Sequence, residues 1–133
     1  MNRLHIERTE YTPLVDFNRE TLSLVLAGDS YPENTFEFYA PVLGYIEDLL
    51  RSDIKGTIQF QFRLNYYNSS TSKILFDLFD LLDEARTRGK AVHIDWLYDE
   101  RNEVMREAGA EFIQEFPNLQ LRLSTFEKDD PAS

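Results

Sequence analysis

Four consecutive hydroxyl residues follow an asparagine in Asn68-Ser69-Ser70-Thr71-Ser72, and Lys73 comes directly after them. The run falls where a strand-like alternation stops and a helix-like stretch begins. Its plainest use is capping, because Asn and Ser side chains accept hydrogen bonds from the unpaired N–H groups of a first helical turn. One cap needs one residue, and four hydroxyls exceed that need. The chemistry that the remainder offers is phosphoryl acceptance. A phosphate at a helix start meets N–H donors and the positive end of the dipole, which accommodates its charge of about −1.5 to −2. Lys73, four residues after Ser69, adds a counter-charge.

A second polar cluster, Gly28-Asp29-Ser30-Tyr31-Pro32-Glu33-Asn34, has the composition of a turn. Asp29, Tyr31 and Glu33 are candidates for contact with a partner. Asp29 and Glu33, with Asp99 at another strand end, also define a hypothetical small metal-dependent hydrolase, since α/β folds bind ligands near strand ends. Other enzyme signatures do not appear. His5 and His93 are the only histidines, and the sequence has no Gly-x-Ser-x-Gly nucleophile elbow and no Walker-type or dinucleotide-type glycine loop. The expectation is a protein that is not an enzyme and has no cofactor or metal.

These residues must be positioned by a sheet and its helices. Ile58, Phe60, Phe62, Leu64 and Tyr66 alternate with Gln59, Gln61, Arg63 and Asn65, the period of a half-buried strand. Leu22, Leu24 and Leu26, then Val92, Ile94 and Trp96, then Leu119, Leu121 and Leu123 repeat the pattern. Leu4–Ile6 and Leu14–Phe17 predict two short strands. Helical spacing joins Tyr39, Val42, Leu43, Ile46, Leu49 and Leu50, with Pro41 near a first turn or at a kink. A second helix is predicted from about Ser70 to Arg88, closed by Gly89. A third runs from about Glu100 to Phe116, with Val104, Met105, Ala108, Phe112 and Ile113 inward.

In the second helix Ile74, Leu78, Leu81, Leu82 and Ala85 cover the inward arc, with Leu75 and Phe79 at its margin. Lys73, Asp77, Asp80, Asp83 and Glu84 point outward. Phe76 falls among those charges and predicts an exposed aromatic anchor, with Asp77 and Asp80 beside it as partner-binding residues. The order β-β-β-α-β-α-β-α-β, with right-handed crossovers, predicts an α/β one-sided sandwich: a mixed sheet with helices on one face. Residues 1–126 read as one domain and 127–133 as a frayed tail.

Composition narrows the partners. The 133 residues carry 14 Lys and Arg against 24 Asp and Glu, a formal charge of −10. That charge repels a phosphate backbone, and no basic stripe offsets it, so no nucleic-acid partner is expected. The absence of cysteine removes disulfides and thiol chemistry. No apolar run approaches the ~20 residues of a membrane span, and MNRLHIERTE has no apolar signal region. A cytoplasmic protein without a membrane partner is expected.

Three segments, Gly28 to Asn34, Tyr67 to Lys73 and Trp96-Leu97-Tyr98, together resemble the SiaC family of small bacterial biofilm-regulating phosphoproteins. Leu78-Phe79-Asp80-Leu81-Leu82-Asp83-Glu84-Ala85 adds to the likeness, which runs from about Leu4 to Leu123. The resemblance implies a fold similar to STAS-type anti-sigma-factor antagonists. It further implies a partner switch: a Ser/Thr protein kinase phosphorylates the helix start, a PP2C-type phosphatase reverses this, and the unphosphorylated form activates a diguanylate cyclase, raising cyclic di-GMP. Carried over by position, the acceptor is Ser69, supported by Asn68 and Lys73. The family usually has Thr there, so Ser70 and Thr71 stand as substitutes. An anti-sigma-factor antagonist is the alternative of the same class.

Overall fold

The computed structural model describes residues 3–126. Its sheet has six strands in sequential order: β1 (His5–Ile6), β2 (Leu14–Asn18), β3 (Ser23–Ser30), β4 (Ile58–Tyr67), β5 (Val92–Asp99) and β6 (Gln120–Phe126). β1 and β3 both run antiparallel to β2, whereas β3, β4, β5 and β6 are mutually parallel neighbours. The parallel pairs are linked by α1 (Thr35–Arg51), α2 (Ser69–Thr87) and α3 (Glu103–Glu115). Each link advances one strand in the same direction, so right-handed connections place all three helices on one face. The expected element order and mixed α/β sheet are both present. The tail expected to fray, residues 127–133, lies outside the described residues.

The helix-covered face holds the core. Leu24, Leu26, Phe60, Phe62, Ile94 and Trp96 are buried there against Ile46, Leu75, Phe79 and Phe112. Burying each such side chain stabilises the fold by roughly 1.5–3 kcal/mol. The Phe79 ring lies 4.3 Å from Phe112 and 5.4 Å from Phe62, edge to face. Trp96 Nε1 donates to Met105 O at 2.9 Å, so the buried indole keeps a partner. α3 comes close enough to the sheet that a Cβ at Gly109 would stand 2.5 Å from Trp96 Cδ1 and 2.6 Å from Leu123 Cδ2.

The predicted helical faces need correction. α2 buries Thr71, Leu75, Leu78, Phe79, Leu82 and Ala85, while Ile74 and Leu81 are half-buried at its margin. Phe76 is not the exposed aromatic that the wheel suggested. It is half-buried, 4.7 Å from the Phe112 ring and 6.3 Å from Phe116. A wheel drawn for one helix assumes one covered side, but α2 has α1 and α3 for neighbours and is covered on its flanks as well. α3 begins at Glu103 rather than near Glu100. Its inward line is Met105, Gly109, Phe112 and Phe116, and Val104 and Ile113 are exposed. Pro41 lies in the second turn of α1 on an exposed position, beyond the first turn.

Candidate functional site

All three helices start at the C-terminal edge of the parallel strands, and the hydroxyl run sits in the middle of that edge. Each start is capped by an asparagine. The side-chain oxygens of Asn34, Asn68 and Asn102 accept the backbone N–H of Glu37, Thr71 and Met105 at 3.0, 2.9 and 3.2 Å. α1 and α3 also carry an acid in the first turn, Glu37 and Glu103, whereas α2 has none. The positive end of the α2 dipole is therefore left without an acidic side chain of its own.

The four hydroxyls separate by direction. Ser69 and Ser70 are exposed, Ser72 is half-buried, and Thr71 is fully buried. Thr71 Oγ1 donates to Ser30 O at 3.2 Å and lies 2.9 Å from Ser30 Oγ, which is 2.6 Å from the Tyr39 hydroxyl. Ser30 O also accepts the Asn68 N–H at 3.0 Å. Burial pushes the Tyr39 phenol up to about 12, partly offset by its bond to Ser30. The Thr71 oxygen is thus enclosed and bonded in the folded protein, unlike those of the other two candidate hydroxyls. Ser69 and Ser70 present theirs to solvent. Lys73 is exposed one turn further along the Ser69 side of α2.

A β-bulge shapes the surface next to this run. β3 and β4 pair Gly28 with Leu64 and then Asp29 with Tyr66, so Asn65 is an extra residue on β4. Beyond it the alternation inverts. Tyr67 turns inward against Trp96 at 6.3 Å, and burial raises its phenol to about 12, with Glu111 adding to the shift. Tyr66, expected in the core, is 52% exposed. Its ring stands 5.8 Å from Tyr31, which is 5.3 Å from Tyr11, both edge to face. Phe36 in the first turn of α1 is 75% exposed at the same edge.

The other predicted contacts are divided between features. Asp77 and Asp80 are exposed on α2. Tyr31 and Glu33 line a groove with Tyr11 and Pro32. Asp29 lines a cavity of about 840 Å³ with Arg8, Asn65, Asp99 and Arg101. Gly28 lets Arg8 cross β3 there, since a Cβ at Gly28 would stand 2.8 Å from Arg8 Nε. Arg8 Nη2 lies 3.7 Å from Asp29, and Arg101 Nη2 lies 3.1 Å from Asp99. The hypothetical hydrolase site is therefore not assembled: Glu33 faces another groove, and the two aspartates face guanidinium groups. Among the described residues no three His, Cys, Asp or Glu side chains gather as a metal would require.

Sequence reasoning missed the Ser30–Tyr39 hydrogen bond and the rings of Tyr11 and Tyr66 that flank the predicted Tyr31. A signal for the first pair existed, because Thr71 precedes Leu75, Leu78, Leu82 and Ala85 at the spacing of an inward stripe. The bulge that exposes Tyr66 has no comparable signal in an unbroken alternation. No helix among the described residues is long and apolar enough to cross a membrane.

Relatives share this architecture. The crystal structure of apo-SiaC from Pseudomonas aeruginosa aligns with a TM-score of 0.85 at 34% identity, over 93% of this chain and 99% of that one. A chain from the crystal structure of the diguanylate cyclase SiaD in complex with its activator SiaC, from the same organism, aligns with a TM-score of 0.86 at 34% identity, over 92% and 99%. An uncharacterized protein of Pseudomonas aeruginosa (strain UCBPP-PA14) is 37% identical over 115 residues, covering 86% of this chain and 90% of that one. Residues 6–126 match the SiaC family of regulatory phosphoproteins. With the family matched over residues 6–126 and the fold shared, the chain belongs to the SiaC family.

Proposed function

We propose that the protein is a non-enzymatic, phospho-regulated switch whose unmodified form binds and activates a diguanylate cyclase, and so controls cyclic di-GMP and biofilm formation. The observation that carries this reading is the exposed Ser69 at the acid-free start of α2, on the same sheet edge as the exposed rings of Tyr66 and Phe36. The relative described as an activator in complex with a diguanylate cyclase supports the choice of partner. A Ser/Thr protein kinase and a PP2C-type phosphatase would set the state of Ser69 in the cytoplasm. The one-sided mixed sheet agrees with a STAS-like partner-switch protein.

The physical switch is local. Aromatic rings at an edge favour docking, as their area is large and their side-chain entropy small. A phosphate of about −2 charge beside them has to be desolvated on docking and adds to an acidic surface, so binding weakens while the helix start itself gains. Asp77 and Asp80 extend the same outward side of α2, and Asp29, Tyr31 and Glu33 extend the loop side.

Titration calorimetry with the diguanylate cyclase recovered from the native cell tests the proposal. Ser69→Asp should weaken binding by about tenfold or more, and Ser69→Ala should retain it. Equal affinities for the two variants would remove the switch. Recovery of an anti-sigma kinase and no cyclase in an affinity pulldown would favour an anti-sigma-factor antagonist instead.

A further inference from the structure

Between the sheet and the hydroxyl run lies a chain of three buried hydroxyls with no role in the surface just described. Its direction follows from its end. Thr71 Oγ1 gives its proton to Ser30 O at 3.2 Å, a carbonyl that can only accept. Thr71 Oγ1 must then accept from Ser30 Oγ at 2.9 Å, and Ser30 Oγ from the Tyr39 hydroxyl at 2.6 Å. Each proton is used once, and all three residues are buried. The chain joins α1, the end of β3 and the third residue of α2.

From this we infer that Thr71, held by Ser30 with Tyr39 behind it, is the positioning residue of the modification site: it fixes the first turn of α2 so that Ser69 faces solvent as the preferred acceptor. The inference rests on the phospho-switch reading above. Two bonds from the α2 start converge on Ser30 O, one from the Asn68 N–H and one from Thr71 Oγ1. Together with the Asn68 cap on Thr71 they set both the pitch and the rotation of the turn. With rotation fixed, Ser69 and Ser70 are not equivalent, since they lie about 100° apart around the helix. A kinase that reads an ordered turn distinguishes them, whereas one presented with a frayed turn does not. Ser30 also precedes Tyr31, so the same anchor fixes the acceptor relative to the tyrosine ladder.

Thr71→Val keeps the shape and removes the hydroxyl, Thr71→Ser restores it, and Tyr39→Phe removes only the far donor. Each full-length variant is expressed in the native cell, and phosphopeptide mapping is paired with amide hydrogen exchange on the purified protein. In Thr71→Val, exchange over residues 69–72 should rise about tenfold, and phosphate should spread from Ser69 onto Ser70. Thr71→Ser should restore both, and Tyr39→Phe should raise exchange by about two- to threefold at the same residues. A role in stability alone would lower the melting temperature without moving phosphate between the serines. Phosphate on Thr71 in the folded wild type, or an unchanged Ser69 preference in Thr71→Val, would overturn the inference. If Thr71→Val fails to fold, unchanged exchange in Tyr39→Phe would overturn it. Wild-type protein bearing no phosphate under any condition would instead remove the switch reading, and the exchange measurements would still decide whether the anchor exists.

Discussion

The starts of α2 and α3 are built alike up to the cap and differ after it. Asn68 and Asn102 make the same side-chain bond to the third N–H of their helices. Past the cap, α3 supplies its own compensation: Glu103 accepts from Arg106, and Asn102 Nδ2 donates to Asn65 O at 2.9 Å, tying the helix to β4. α2 places Thr71 inward on Ser30 and leaves Ser69 and Ser70 outward with no acid in the turn. One start is closed in charge, and the other is closed only in its buried hydrogen bonds. The second kind can take an added anion on its surface while its anchor stays in place, so in the proposed switch the anchor Thr71 and the acceptor Ser69 would be different side chains two residues apart.

The largest way to break this comparison acts on the α3 side. Gly109→Ala drives a methyl into Trp96 and Leu123, and overpacking of this type costs about 1–3 kcal/mol. Phe112 shifts with α3, so Phe76 loses its cover while Thr71 keeps its bonds to Ser30. Urea denaturation should show the loss, and exchange at residues 69–72 should stay near wild type. Gly44→Ala is the control, because a Cβ there meets nothing within 4 Å; it should be neutral or stabilising by up to about 1 kcal/mol.

Smaller effects are expected at the caps themselves. Asn68→Ala and Asn102→Ala should each cost about 1 kcal/mol in denaturant unfolding. Asn102→Ala should be the costlier of the two, since it also removes the bond to Asn65 O. Asn68→Ala leaves the Thr71 anchor, so its local loosening should stop at the first turn. A greater loss at Asn68 than at Asn102 would mean that the α2 start depends on its cap and not on the buried hydroxyls.

The same contrast explains what was legible in the sequence. The strands, their succession along the chain and the approximate helix positions followed from alternation and spacing, because burial on one face is a property of each segment alone. Phe76, Val104 and Ile113 were misread because covering a helix flank depends on the neighbouring helix, and Phe76 meets Phe112 only once α3 is in place. The hydroxyl run was visible as composition. Its division into outward Ser69 and inward Thr71 depended on where the β3 end lies, a contact 41 residues away in sequence. Tyr66 changed sides through a single extra residue, Asn65, that no period of two announces.

The smallest expected effect is a pH dependence confined to one of the two starts. The hydrogen bond from Arg106 holds the Glu103 carboxyl below its ordinary value of 4.5. A carboxyl that is more acidic folded than unfolded favours folding above the unfolded value, and that contribution fades as pH falls through the folded value. Solvent screens the pair, so the effect is a local fraying of the first turn of α3 rather than a change in global stability. The first turn of α2 has no carboxylate and should not respond over the same range. Backbone carbon-13 shifts followed from about pH 6 to about pH 3 should show residues 103–106 losing helical character before residues 69–72. Glu103→Gln should abolish the difference by removing the titrating group. Parallel loss at both starts would mean that their shared asparagine caps, and not the acid in one and the hydroxyls in the other, govern how these turns respond to charge.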